Sequence, residues 1–178
     1  MKNIIVFILL IQFSYAIGLR SLVIPQNAEM LGSSSTGISL HHQLNPANLS
    51  QSEGCFSFSR NNWYADIDGQ KVSILFESKN YFDKSFVSME SLSVKDIELR
   101  NEIANDSPIG FFGVCWYALE FAQNLSLGKY NTNFSNTHIG YRLKTNLSKL
   151  YTSTMYGYTF DFGITSKIND NIKVSFIM

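Results

Sequence analysis

The sequence predicts an all-β protein, an antiparallel β-barrel of the outer-membrane type with short helices near its N-terminus. Three observations predict it: apolar and polar residues alternate along much of the chain, aromatic residues make up 14% and charged residues only 16%. Soluble domains usually have about a quarter of their residues charged. A length of 178 residues suits one domain with a sizeable core.

The N-terminus has the three parts of a secretory signal peptide, which we place at residues 1–16. Lys2 precedes an apolar run from Ile4 to Ile11, and the small residues Ser14 and Ala16 follow. This run is shorter than the roughly 18 to 20 residues that a membrane-spanning helix needs. We therefore expect an exported protein, cleaved after Ala16 or Gly18.

The next part, residues 17–53, is predicted to contain two short helices, at residues 26–31 and around residues 45–49. In the second one, the Asn45 side chain is expected to cap the first turn. Pro46 suits the position after the cap because a backbone N–H there would have no partner. A rigid helix start is therefore expected at Asn45, Pro46 and Ala47.

Residues 54–178 are predicted to form an antiparallel meander, because their apolar residues recur at every second position. The clearest strand has Tyr156, Tyr158, Phe160, Phe162 and Ile164 on one face and Gly157, Thr159, Asp161 and Gly163 on the other. Turns are expected at residues 66–69, 79–80 and 168–171, and residues 93–108 are expected to be a loop with one helical turn at most.

Such alternation fits either a soluble sandwich with apolar residues inward or a membrane barrel with apolar residues outward. The aromatic content and the length of the strand at residues 156–164 favour the barrel, whose strands need roughly 9 to 11 residues. On its polar side, Asp161 is expected to pair with Arg142 or Lys144 of the neighbouring strand. A ligand or proton role for Asp161 is the alternative.

The sequence has no nucleophile, phosphate-binding or paired-carboxylate motif, so we expect neither an enzyme nor a bound cofactor. A metal site is not expected at His41 and His42, because adjacent side chains diverge. Equal numbers of basic and acidic residues, 14 each, argue against nucleic-acid binding. Cys55 and Cys115 would enter an oxidising compartment, where their pairing is allowed but does not follow from sequence.

Several motifs, in order, resemble the PorV/PorQ family of FadL-like outer-membrane barrels. Residues 28–37, with Met30 and Gly32, are similar to that family's N-terminal Met-Gly-Gly-Ala segment, and residues 45–49 to its Asn-Pro-Ala-Gly-Leu signature. Further matches are the Trp-x-x-Asp-Ile pattern with Trp63 and Asp66, residues 96–100, and the Phe-Asp-Phe-Gly pattern with Asp161 and Gly163.

The resemblance implies an outer-membrane protein that assists type IX secretion or the surface attachment of cargo. Its partners would be outer-membrane lipid and secretion-system components or exported cargo. Family barrels are about twice as long, so the chain would correspond to the N-terminal half of one. Two alternatives stay open: a FadL-like channel for hydrophobic small molecules, and a secreted soluble β-sandwich or adhesin.

Overall fold

A computed structural model describes residues 32, 38, 41–63, 66–78, 81–101, 106–169 and 171–178. The predicted signal peptide, the helix expected at residues 26–31 and Met30 lie outside these residues. None of the helices in the described part is long and apolar enough to cross a membrane.

The described part of the chain folds into one seven-stranded antiparallel sheet, in which every strand pairs with the next along the sequence. Its strands are β1 (Cys55–Trp63), β2 (Ile67–Glu77), β3 (Lys84–Leu99), β4 (Gly110–Ser126), β5 (Thr137–Leu150), β6 (Ser153–Lys167) and β7 (Lys173–Ile177). Short 3-10 helices are η1 (Pro46–Gln51), η2 (Leu127–Lys129) and η3 (Thr132–Phe134). The predicted antiparallel meander is confirmed. The sheet is not closed, since β1 and β7 are its two edges.

The loop predicted at residues 93–108 is wrong over its first half, because β3 runs on to Leu99. A bulge between Val94 and Ile97 interrupts the pairing with β4, and Asp96 there has a φ of 56°. Extra residues in a bulge shift the side chains that follow relative to the two faces. This shift breaks the two-residue period by which strands are recognised.

The turn expected at residues 66–69 lies earlier than predicted. Ile67 is already paired with Trp63, and Asp68 with Asn62, so both belong to the first hairpin's ladder. Asp66 is in the turn with a φ of 56°, a conformation that aspartate tolerates better than most residues. Of the turn expected at residues 168–171, the described residues 168, 169 and 171 lie between β6 and β7 as predicted, while residues 79–80 lie outside the described part.

The two faces of the sheet differ sharply in polarity. The apolar face presents large exposed side chains, among which Tyr158 is 77% exposed, Tyr156 73% and Phe56 70%. One continuous row across it consists of Phe56, Ile74, Val87, Phe121, Leu143 and Phe160. The polar face has the buried residues, and a row across it consists of Ser57, Ser73, Ser88, Glu120, Lys144 and Thr159.

The burial of the polar face comes partly from residues 41–52, here called the inner segment, which includes η1. The inner segment packs against β3, β4, β5 and β6. Leu49 completes a small apolar cluster with Leu75, Phe86 and Ala122. The core of the described part therefore lies between the inner segment and the polar face.

Candidate functional site

The helix of the inner segment, η1, begins directly after Asn45, the residue predicted to cap it. Asn45 has extended backbone angles, and its Oδ1 accepts a hydrogen bond of 3.0 Å from the backbone N–H of Ala47. Pro46 occupies the first helical position, where no N–H is needed. The expected helix start is confirmed, as a 3-10 helix, and its first three residues are buried.

Two glycines on the sheet allow the inner segment to lie directly on the backbone of β5 and β6. Gly140 and Gly163 are paired across these strands. A Cβ atom on Gly140 would lie 2.4 Å from the carbonyl carbon of Pro46, and one on Gly163 would lie 1.9 Å from Asn45 Oδ1. No side chain fits between the sheet and the segment at either position.

Side-chain amides connect the inner segment to β6. Asn45 Nδ2 donates to Thr165 Oγ1 at 3.3 Å and to the carbonyl of Ile164 at 3.4 Å. The hydroxyl of Thr165 donates to Asn48 Oδ1 at 3.0 Å. Asn45, Asn48 and Thr165 are almost completely buried, and buried polar groups of this kind stabilise a fold only when they are hydrogen-bonded. These contacts therefore fix the position of η1 on the sheet.

Three basic side chains of the sheet bind the inner segment near its two ends. Arg142 Nη2 donates to the carbonyl of His42 at 2.6 Å, and Lys173 Nζ donates to Gln51 Oε1 at 2.7 Å. Lys84 Nζ donates to the carbonyl of Ser52. Strands β3, β5 and β7 thus each contribute one cation to the same segment.

Arg142 also belongs to a network of buried charges on the polar face. Its guanidinium is 2.8 Å from Glu120 Oε1 and 3.4 Å from Asp161 Oδ2. The predicted pairing of Asp161 with a basic residue of the neighbouring strand is therefore confirmed. Because Arg142 also donates to the carbonyl of His42, it links the charge network to the backbone of the inner segment.

A second part of the network is centred on Glu90 of β3. Its carboxylate lies 3.3 Å from Lys71 Nζ on β2 and 2.9 Å from Lys144 Nζ on β5. Lys144 reaches Glu90 across β4, where the residue opposite Glu90 is the small Ala118. Because these basic and acidic groups alternate, the network places buried charges on the face without an excess of one sign.

The arrangement holds the inner segment on the polar face of the sheet. Among the described residues, no group of three or more histidines, cysteines or carboxylates is placed to hold a metal ion. Cys55 and Cys115 are both free thiols. His42 contacts Ser52 Oγ at 3.0 Å and packs edge-on against Phe86, which gives it a structural role within the inner segment.

The residues of the sequence motifs do not all come together. Asn45 and Pro46 lie against Gly163, and the backbone N–H of Ala47 donates to Asn45 Oδ1. Asp161 is linked to the same segment through Arg142, which donates to the carbonyl of His42. Trp63 and Asp66 lie away from this contact: Trp63 is the last residue of β1, and Asp66 is in the turn between β1 and β2. Gly32 is exposed.

Sequence reasoning did not identify Gly140, Thr165, Lys84 and Lys173 as parts of this site. Gly140 could have been found, since the alternation in β5 puts it on the same face as Arg142 and Lys144, and in the observed register it meets Gly163. The two lysines carry no local signal, because their contacts depend on where the inner segment crosses the sheet.

Comparisons of the chain with protein families, with curated proteins and with solved structures found no match. The resemblance to the PorV/PorQ family therefore stays a prediction from ordered sequence motifs.

Proposed function

We propose that this chain is an outer-membrane protein whose sheet belongs to a β-barrel, with the apolar face toward lipid and the polar face toward the lumen. The observation that carries the proposal is the inverted polarity of the sheet. Phe160 is 60% exposed while Arg142, on the opposite face, is 7% exposed. A one-sided sheet in water normally buries its apolar side and solvates its polar side.

The lengths of the strands support the same proposal. The four central strands, β3 to β6, have between 14 and 17 residues, and a tilted strand that crosses a bilayer needs roughly 9 to 11. Outer-membrane barrels alternate apolar residues toward lipid with polar residues toward the interior. The balanced network around Glu90 and Arg142 would then be an ionised lumen lining.

For the biological role we propose assistance to type IX secretion or to surface attachment of exported cargo, as in the PorV/PorQ family. The support is the ordered set of motifs, of which Asn45 and Pro46 lie against Gly163 in the fold. These residues build the lumen lining rather than an exposed binding surface. The cargo would therefore bind elsewhere, at the loops or the rim.

Fractionation of the host cell tests the proposal in two steps. The protein should enter the outer-membrane fraction and migrate differently on a gel before and after boiling, as folded barrels do. Deletion of its gene should then reduce the amount of cargo at the cell surface. A protein found in a soluble fraction would contradict the membrane assignment, and unchanged surface cargo would contradict the secretion role.

A FadL-like channel for hydrophobic small molecules is the second candidate. The inner segment favours it, because a chain segment fixed on the lumen face by Arg142, Lys84 and Lys173 would narrow a pore. Uptake of a long-chain fatty acid by liposomes that contain the protein would support the channel, while cargo retention without uptake would support the secretion role.

A secreted β-sandwich or adhesin is the third candidate, in which a further layer of protein covers the apolar face. It differs from the barrel in its behaviour when detergent is removed. A sandwich stays monodisperse without detergent, whereas a sheet that exposes Tyr156, Tyr158 and Phe160 to lipid aggregates when detergent is removed.

A further inference from the structure

The apolar face of β6 has a polar residue at each end of its aromatic stretch. The stretch spans residues 156–164, and its side chains on this face are Tyr156, Tyr158, Phe160, Phe162 and Ile164. Thr154 precedes it and Ser166 follows it on the same face, because side chains two residues apart along a strand share a face. The apolar part of β6 therefore has two defined ends.

Strand β5 changes polarity at the same two rows. Lys149 is the direct partner of Thr154, and Thr137 is the direct partner of Ser166. The hydroxyls of Thr137 and Ser166 also share a hydrogen bond of 3.0 Å. Between these polar pairs, the β5 side chains on this face are Ile139, Tyr141, Leu143, Thr145 and Leu147. Two neighbouring strands thus present one mainly apolar band between two polar rows.

The height of this band fits the hydrocarbon layer of an outer membrane. At about 3.3 Å per residue and with a strand tilt of about 40°, the stretch from Tyr156 to Ile164 rises about 20 Å. The polar residues Thr154 and Ser166 are about 30 Å apart in height on the same basis. These two heights bracket the roughly 25 Å apolar band of outer-membrane barrels.

The residues at one end of the band suit a membrane surface. Tyrosine is enriched there because its ring is apolar and its hydroxyl is polar. Tyr156 is the last apolar-face residue of β6 before Thr154, and it is exposed. Lys149, next to Thr154, can keep its ammonium group in the headgroup layer while its aliphatic stem covers apolar surface.

We propose that the acyl chains of a phospholipid bilayer cover this band, with one bilayer surface at Lys149 and Thr154 and the other at Thr137 and Ser166. Phe160 then lies near the bilayer midplane. The inference rests on the proposed membrane location and adds the depth of individual residues to it.

The same assignment gives the depth of the inner segment. Pro46 and Asn45 contact Gly140 and Gly163, which directly follow Ile139 and precede Ile164 in sequence. These positions are close to the surface at Thr137 and Ser166. The inner segment would therefore lie near one mouth of the lumen and not at its middle.

Spin labels along β6 measure these depths. The full chain, with Cys55 and Cys115 replaced by serine, is placed in phosphatidylcholine liposomes and labelled at one of residues 154, 156, 160, 164 and 166. The ratio of oxygen access to nickel-complex access should be highest at residue 160 and several times lower at residues 154 and 166. A label at Leu143, the direct partner of Phe160, is the matched control and should give the same ratio as residue 160.

The shape of this profile separates the depth assignment from the membrane location. A maximum at residue 156 or 164 would overturn the assignment and leave the membrane location standing. High nickel access at all five positions would overturn both.

A tryptophan in place of Phe160 repeats the measurement without a label, in case the label prevents insertion. The fluorescence that Phe160→Trp adds to that of Trp63 and Trp116 should be quenched most by lipids brominated near the ends of their acyl chains. Stronger quenching by bromine next to the headgroup would overturn the assignment.

Discussion

Gly140 sets how closely the inner segment approaches the sheet, because a Cβ atom there would meet the backbone of Pro46 at 2.4 Å. A clash with backbone cannot be relieved by rotating a side chain. Gly140→Ala should therefore displace η1 and lower the free energy of unfolding by about 1 to 3 kcal/mol, as overpacking does elsewhere.

Gly157→Ala is the matched control, since its new Cβ would lie 3.8 Å from its nearest neighbour on the same strand pair. Denaturant unfolding gives the stability of both variants, and limited proteolysis reports whether residues 41–52 have left the sheet. Equal stabilities with equal protease resistance would contradict the close packing of the segment.

Asn45 contributes both an acceptor and a donor to the same site. Its Oδ1 caps η1, and its Nδ2 donates to Thr165 and to the carbonyl of Ile164. Asn45→Ala should cost about 2 kcal/mol of unfolding free energy, the sum of a lost cap and a lost buried hydrogen bond. Asn62→Ala, at an exposed position of β1, should change it little.

Asn45→Ser separates the two contributions, because serine keeps a capping oxygen and lacks the amide donor. An intermediate stability in denaturant unfolding is the expected result. If Asn45→Ala proved as stable as the original protein, the amide contacts with β6 would not hold the segment.

At the scale of the elements, β2, β3 and β5 are linked through Glu90, the carboxylate shared by Lys71 and Lys144. Glu90→Ala would leave two buried ammonium groups without a carboxylate and should cost about 3 to 5 kcal/mol, the usual effect of breaking a buried pair from one side. Glu98→Ala, which removes an exposed partner of Arg100 on the same strand, should cost under about 1 kcal/mol.

Thermal or denaturant unfolding of Glu90→Ala and Glu98→Ala measures the two stability losses. Replacement of all three residues, Lys71, Glu90 and Lys144, by apolar side chains of similar volume should restore much of the lost stability, since no buried charge then stays unpaired. Similar losses for Glu90→Ala and Glu98→Ala would mean that water solvates the network.

The elements that were predictable from sequence are those with a clean two-residue period. In β6 the aromatic residues all fall on one face, and in β5 and β7 the alternation is equally regular. β4 lacks it because Val114, Ala118 and Ala122 lie on the polar face, so apolar residues occur on both sides. β3 loses its period at the bulge after Val94, and the end of this strand was therefore mistaken for a loop.

The candidate site was predictable only in its local part. The Asn45 cap and Pro46 depend on adjacent residues, and the pairing of Asp161 with Arg142 depends on two neighbouring strands. The contacts of Lys84 with Ser52 and of Arg142 with His42 join residues far apart in the chain. Such contacts depend on the path of the inner segment, which has no periodic pattern.

For the molecule as a whole, alternation defines two faces but does not say which one is covered. Here the inner segment and the buried charges occupy the polar face. Most aromatic residues of β1 and β6 stay exposed, namely Phe56, Phe58, Tyr156, Tyr158 and Phe160. The central claim is that these exposed residues face lipid. It concerns the surroundings of the sheet, so a probe of those surroundings tests it better than stability does.

Spin labels on neighbouring residues of β6 provide that probe. Phe160 is on the apolar face and Thr159 on the polar face, and Cys55 and Cys115 can be replaced by serine so that each labelled protein has a single cysteine. In liposomes, the label at residue 160 should be relaxed mainly by lipid-soluble oxygen, and the label at residue 159 should show much lower oxygen access relative to a water-soluble nickel complex. Equal access of the nickel complex to both labels would contradict a lipid-facing sheet.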